Sequence, residues 1–122
     1  MNGSGNYPVV NKGEKTIAIN FVPSESGAQS DVEIPLVLDL DLYNEVIGIE
    51  ALNFRSYGGP NILADFNYSA LEPVGMRLSY DEEVDALALK IDEGRSIRQR
   101  SVKGRLLLDS GGRMTGIEAN LA

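Results

Sequence analysis

Residues 32–51 read VEIPLVLDLDLYNEVIGIEA, and residues 102–119 read VKGRLLLDSGGRMTGIEA. Both are apolar runs broken once by a short polar stretch, and both close on Gly-Ile-Glu-Ala. In the first, Ile34, Leu36, Leu38, Leu40 and Leu42 fall on one face, with Glu33, Pro35, Val37, Asp39 and Asp41 on the other. A period of two is the signature of a strand with one face buried. Tyr43-Asn44-Glu45 and Ser110-Gly111-Gly112 are turn signals between such runs, so each stretch predicts a hairpin.

The likeness extends outward. Advancing Ile17, Ile19 and Phe21 by 70 positions gives Leu87, Leu89 and Ile91. The same step takes Val32 to Val102, Leu36 to Leu106, Leu38 to Leu108 and Asp39 to Asp109; from Gly48 onward the step is 68. This reads as one fold unit used twice. The expected organisation is a single domain, 1–122, with a first repeat at 6–54, a connector at 55–75 and a second repeat at 76–122.

Tyr7 to Val10 predicts an edge strand and Asn11 to Glu14 a turn. Thr16 to Val22 alternates as a half-buried strand, and Pro23 to Ser30 is a polar loop. Met76 to Tyr80 and Asp85 to Ile91 are strands about an acidic turn, and Ser96 to Ser101 reads as a solvated edge strand. In the connector, Ile62, Leu63, Phe66, Ala70 and Leu71 recur at helical spacing, which predicts a short helix over Asn61–Leu71 closed by Pro73. The fold class is therefore all-β: two repeated antiparallel β-meanders packed as a pseudo-two-fold sandwich or barrel, with one short connector helix.

Tyr80-Asp81-Glu82-Glu83-Val84-Asp85-Ala86-Leu87, then Leu107-Leu108-Asp109 and Gly116-Ile117-Glu118, carry a further likeness. The pattern Y-D-x-x-x-D-A-L, a hairpin with L-D before its turn and G-I-E after it, resembles a family of small bacterial and archaeal domains of unknown function. It covers about Met76 to Leu121; in the first repeat Val10 and Asn11 stand where Tyr80 and Asp81 stand. Members of that family are usually single units of half this length, and some look like antitoxins encoded beside small toxins. The resemblance thus implies an interaction protein.

Net charge −7 and the absence of Trp argue against nucleic acid, whose phosphates call for a Lys/Arg excess. No run approaches the ~20 apolar residues of a membrane span. Met1 to Gly5 is polar with no apolar run behind it, so no secretory signal is read and the expected compartment is the cytoplasm. With no Cys and no His, most nucleophilic dyads and zinc sites are removed, and no catalytic residue, metal or cofactor is expected.

What remains is carboxylates, Tyr, Lys and Arg. Asp81, Glu82, Glu83 and Asp85 cluster but lack the spacing of a calcium loop. Glu50 with Glu118, and Asp39 with Asp109, are repeat-equivalent pairs that would share a proton if a symmetric body brought them face to face; the plainer reading is a turn aspartate and an outward strand glutamate. Arg95, Arg98, Arg100, Lys103 and Arg105 form a basic stripe, which steers an anion or simply guards an edge strand against aggregation.

Two functional expectations follow. The first is a non-enzymatic interaction protein, antitoxin-like or immunity-like, whose acidic surface meets a basic protein partner. The second is a cofactor-free cyclase or binder of an apolar small molecule, held in a pocket between the repeats, where proximity and orientation alone do the work. For the second, Phe66 and Tyr68 are candidate lid residues, Tyr43, Tyr57 and Tyr80 candidate hydrogen-bond donors, and Glu50 and Glu118 the candidate carboxylates. A homodimer through a free sheet edge is also expected, by Val102–Asp109 or another strand.

Overall fold

The computed structural model describes residues 7–23 and 29–121. The Met1–Gly5 tip and most of the loop expected at Pro23–Ser30 lie outside the described residues. Eight strands form one antiparallel sheet curled into a half-barrel. They are β1 (Val9–Lys12), β2 (Thr16–Asn20), β3 (Ser30–Leu40), β4 (Val46–Leu52), β5 (Arg77–Asp81), β6 (Ala86–Lys90), β7 (Arg98–Leu108) and β8 (Met114–Asn120). No helix among the described residues is long and apolar enough to cross a membrane.

The strand order is β1-β2-β8-β7-β3-β4-β6-β5. Exchanging β1–β4 for β5–β8 returns the same order. The strands are not grouped into two meanders facing each other across a sandwich. They interlace: β2 pairs with β8, β4 with β6, and β3 with β7, all across the chain's two halves. The central β3–β7 ladder is the longest, running from Ser30↔Leu108 to Leu40↔Arg98.

The registers revise the alignment drawn from sequence. Leu38 pairs with Ile49 in one hairpin and Leu106 with Ile117 in the other, a step of 68 in both strands. Ile17 faces Ala119 and Leu87 faces Ala51, so β2 and β6 alone keep the step of 70. Two compensating two-residue differences follow: the β1–β2 turn is two residues shorter than the β5–β6 turn, and between β2 and β3 residues 21–29 answer to 91–97. Asp109 matches Asp41 rather than Asp39. Asp41 Oδ1 accepts from the N–H groups of Tyr43 and Glu45 at 2.9 Å, and Asp109 Oδ1 from those of Gly111 and Arg113 at 2.9 Å. Likewise Lys12, across from Ile17, stands where Tyr80 stands across from Leu87; Val10 does not. A slip of two leaves the in-out alternation of a strand unchanged, so hydrophobic pattern alone does not detect it.

Two further readings change. Ser96–Ser101 is no separate edge strand: Arg98–Leu108 is one strand at the middle of the sheet. In the connector, no helix spans Asn61–Leu71. A five-residue helix, α1 (Phe54–Gly58), precedes that stretch, and a 3-10 helix, Tyr68–Val74, overlaps its end with Pro73 inside. Asp65 between them has φ 58°, the left-handed region, which interrupts helical propagation.

The connector fills the inner face of the sheet. Phe54, Ile62, Leu63, Leu71 and Met76 are buried in one cluster with Ile17, Ile19, Leu36, Leu38, Leu89, Leu106 and Ile117. The Met114 N–H bonds the Ile62 carbonyl at 2.8 Å, stitching connector to sheet. Close approach at the centre needs Gly104: a Cβ there would lie 2.6 Å from the Glu118 carbonyl oxygen and collide with Leu36. Gly104→Ala is expected to cost about 1–3 kcal/mol, read from the chemical-denaturation midpoint. Gly13→Ala, whose Cβ would meet Thr16 at an ordinary 3.4 Å, is the control and should change stability little.

Candidate functional site

β3 and β7 run antiparallel, so the Asp41 and Asp109 turns lie at opposite ends of the sheet. At the Asp109 end a cleft of about 570 Å³ opens between the end of β2, the β7–β8 turn and the connector. Phe21, Phe66, Leu71 and Met114 give it apolar walls, and Asp65, Asp109 and Arg113 line it as well. The Phe21 and Phe66 rings meet edge to face with centroids 5.1 Å apart, and Phe66 meets Tyr68 the same way at 5.0 Å.

The sequence places these groups by simple means. Phe21 follows the last inward residue of β2, Ile19, on the same face. Gly112, at φ 82°, closes the turn that delivers Arg113. The Arg113 Nε donates to Asp109 Oδ2 at 3.0 Å and its Nη1 to Asp65 Oδ2 at 3.4 Å. Its Nη2 has no hydrogen-bond partner among the described residues. The Arg113 N–H first, then that of Gly111 and the guanidinium charge, hold the Asp109 carboxyl below the usual range against burial, which pulls it up. The end of the cleft thus offers a fixed cation, pre-aligned by two carboxylates, facing apolar walls.

Of the residues marked out by sequence, Phe66 and Asp109 line this cleft; Tyr68 supports it through the ring contact. Tyr43 is 81% exposed in the turn at the opposite end, and Tyr57 is exposed on α1. Glu50 and Glu118 do not face each other: β7 and β3 lie between their strands, about 14 Å at ordinary strand spacing. Glu118 pairs with Arg105. Glu50 instead meets Asp39, and the Gln99 side-chain amide donates to both at 2.9 Å. The hydrogen bond with Asp39, then burial and the Asp39 charge, push the Glu50 carboxyl up, against Gln99, which lowers it.

The Tyr-Asp pattern of the second half has structural work. Asp85 accepts hydrogen bonds from Tyr80 Oη at 2.6 Å, from the Arg55 and Ser56 N–H groups at 2.9 and 3.2 Å, and from Ser56 Oγ at 3.2 Å. It thereby satisfies the open N–H groups at the start of α1. Burial pulls the Asp85 carboxyl up, but these bonds together outweigh it and hold it below the usual range. Asp81 Oδ1 accepts from the Glu83 N–H, and Glu82 lies 3.9 Å from Arg55. Among the described residues no three His, Cys, Asp or Glu side chains gather as a metal site requires.

Sequence reasoning missed Phe21, Asp65, Arg113 and Met114 as cleft residues. Arg113 directly after a Gly-Gly turn was the one available signal. Comparison of the chain with family models, with curated proteins and with solved structures finds no match in any of the three. The likeness carried by Tyr80–Leu87 therefore rests on its own residues.

Asp85→Ala removes the cap of α1 and is expected to cost about 1 kcal/mol of stability in urea unfolding. The Asp85 contribution is present above the unfolded-state pKa and lost as pH falls through the folded one; the variant should show less acid destabilisation than the parent. Glu50 has the opposite sign: its raised pKa means stability present below the unfolded value and lost as pH rises through the folded one. In Asp39→Asn the Glu50 carboxyl, followed by carbon NMR, should titrate nearer its ordinary value, and stability should fall less with rising pH through the mid-acid range.

Proposed function

We propose that this protein binds an amphipathic small molecule in the cleft beside the β7–β8 turn. The observation that carries the reading is the pairing of an aromatic wall, Phe21 and Phe66, with the open edge of the Arg113 guanidinium in a space of about 570 Å³. That volume suits a ligand of drug-like size, and a few polar groups against apolar walls are what such sites contain. The ligand class is a ring-bearing, mostly apolar molecule with an acceptor oxygen for Arg113. Asp65 and Asp109 offset most of the Arg113 charge, which favours a carbonyl or phenol oxygen over a strong anion.

The inner face of the sheet, where a barrel cyclase would hold its substrate, is filled by Phe54, Ile62, Leu63 and Leu71. Shape-guided cyclisation by this chain would thus take place in the end cleft, with orientation as its only device. Lacking Cys, the chain gives no sign of an oxidising compartment, and we place it in the cytoplasm. The alternative of a basic protein partner draws on net charge alone. Asp31, Glu45, Glu82, Glu93 and Glu118 each already face a cation of the same chain.

A thermal-shift screen of aromatic ketones, phenols and polyketide-like compounds should find ligands that raise the melting temperature. Saturation at ~100 times Kd stabilises by about 2.7 kcal/mol. Phe66→Ala should weaken such a ligand about tenfold or more, while Tyr43→Ala, at the other end of the sheet, should leave Kd unchanged. Equal affinity in Phe66→Ala and parent would refute this site.

A further inference from the structure

The two long central strands are each paired on one side only over part of their length. β8 meets β7 from Gly104 onward, so on that side Arg98–Lys103 has no strand beside it among the described residues. β4 meets β3 only from Val37, which leaves Ser30–Leu36 open on the β4 side. Pro35, with no N–H to give, sits in that open half. The two steps are then treated differently. Helix α1 follows β4 and packs against β3. Beside β7 lies a notch of about 420 Å³ lined by Arg100, Ser101, Val102, Lys103 and Asn120.

The direction of the free backbone groups follows from the ladder. The Leu108 carbonyl accepts from the Gln29 N–H and the Leu40 carbonyl from the Ile97 N–H, so even-numbered residues of β3 and β7 point their backbone groups at each other. Gln99, Ser101 and Lys103 therefore turn their N–H and C=O groups toward the open side, the last two into the notch. Val102, Gly104 and Leu106 lie on the inner side, which puts Arg98 and Arg100 on the inner side of this edge and Lys103 on the outer.

The cations here lack carboxylate partners. Arg98 donates to Asn44 Oδ1 and Arg100 to the Leu121 carbonyl. Arg95 and Lys103 make no ion pair among the described residues, although Asp and Glu outnumber Lys and Arg by 18 to 11. Lys15 and Arg77 likewise make no ion pair among the described residues, but Arg95, Arg98, Arg100 and Lys103 are the group gathered on and just before one open strand edge.

We propose that the outer edge of β7, Arg98–Lys103, docks an extended acidic segment of a partner protein by strand addition. The alternating donors and acceptors of Gln99, Ser101 and Lys103 match a polypeptide backbone. Carboxylates alternating on the two faces of that strand meet Arg98 and Arg100 on one side and Lys103 on the other. A nucleic-acid strand fits less well: the outward carbonyls repel phosphate, and no aromatic ring lines the notch to stack a base.

The test uses the peptide acetyl-Thr-Glu-Val-Asp-Val-Glu-Thr-amide and the ¹⁵N-labelled full chain. Shifts and slowed hydrogen exchange at the Gln99, Ser101 and Lys103 amides are expected. Lys103→Glu, and separately Arg100→Glu, should weaken binding about tenfold with unchanged circular dichroism. A peptide N-methylated at alternate amides should not bind, because the ladder cannot form. Retained binding of the N-methylated peptide, tighter binding of heparin or single-stranded DNA at the same amides, or no binding at millimolar peptide would each overturn the proposal.

Discussion

The pairing of β3 with β7 is the constraint on which the rest of the structure depends. It joins two strands that sequence assigns to different halves of the chain. Once these are hydrogen-bonded along their length, neither half can close its own meander. Each second hairpin takes its outer neighbour from the other half: β8 receives β2 and β4 receives β6. A four-stranded unit of this size exposes one apolar face and is marginal by itself. The interlaced sheet gives both halves a single inner face and one shared core.

One inner face on a half-barrel still needs a cover, and the connector supplies it. Its apolar residues lie in the same buried cluster as the strand residues. The cover is anchored at its start by Asp85, which holds the first N–H groups of α1, and further along by the bond from Met114 to Ile62. Because a single connector serves a sheet with near-equivalent ends, the ends become different. One receives the Asp65–Leu71 stretch and so gains the cleft with Phe21 and Arg113; the other presents Leu42 and Tyr43 to solvent. The same asymmetry leaves α1 packed on β3 while the step beside β7 stays open.

Much of this was legible in the chain. Alternation at Ile34–Leu42 and Leu87–Ile91, with turn residues at Asn44 and Gly111-Gly112, located the strands within a few residues. Phe66, the lid candidate for a pocket between the repeats, lines the end cleft instead. The misreadings share physical causes. Asp109 was matched to Asp39 instead of Asp41 because strand alternation repeats every two residues. The Asn61–Leu71 helix was read from apolar spacing, but those side chains are spaced to reach the sheet, and Asp65 in the left-handed region breaks the run. Glu50 and Glu118 keep equivalent places in the two hairpins, and Glu118 is the outward strand glutamate of the plainer reading; the carboxylate beside Glu50 is Asp39, two positions along the adjoining strand's ladder.

By itself the sequence determined which residues form strands, which face of each is apolar, and where the hairpins turn. These are local properties, set by side-chain alternation and turn chemistry over a few residues. Only the tertiary structure decided which strands became neighbours, where the two-residue differences between them fall, and which end of the sheet carries a cleft. Those depend on hydrogen bonds between residues far apart in the chain, and the backbone groups that make them are identical in every residue but proline.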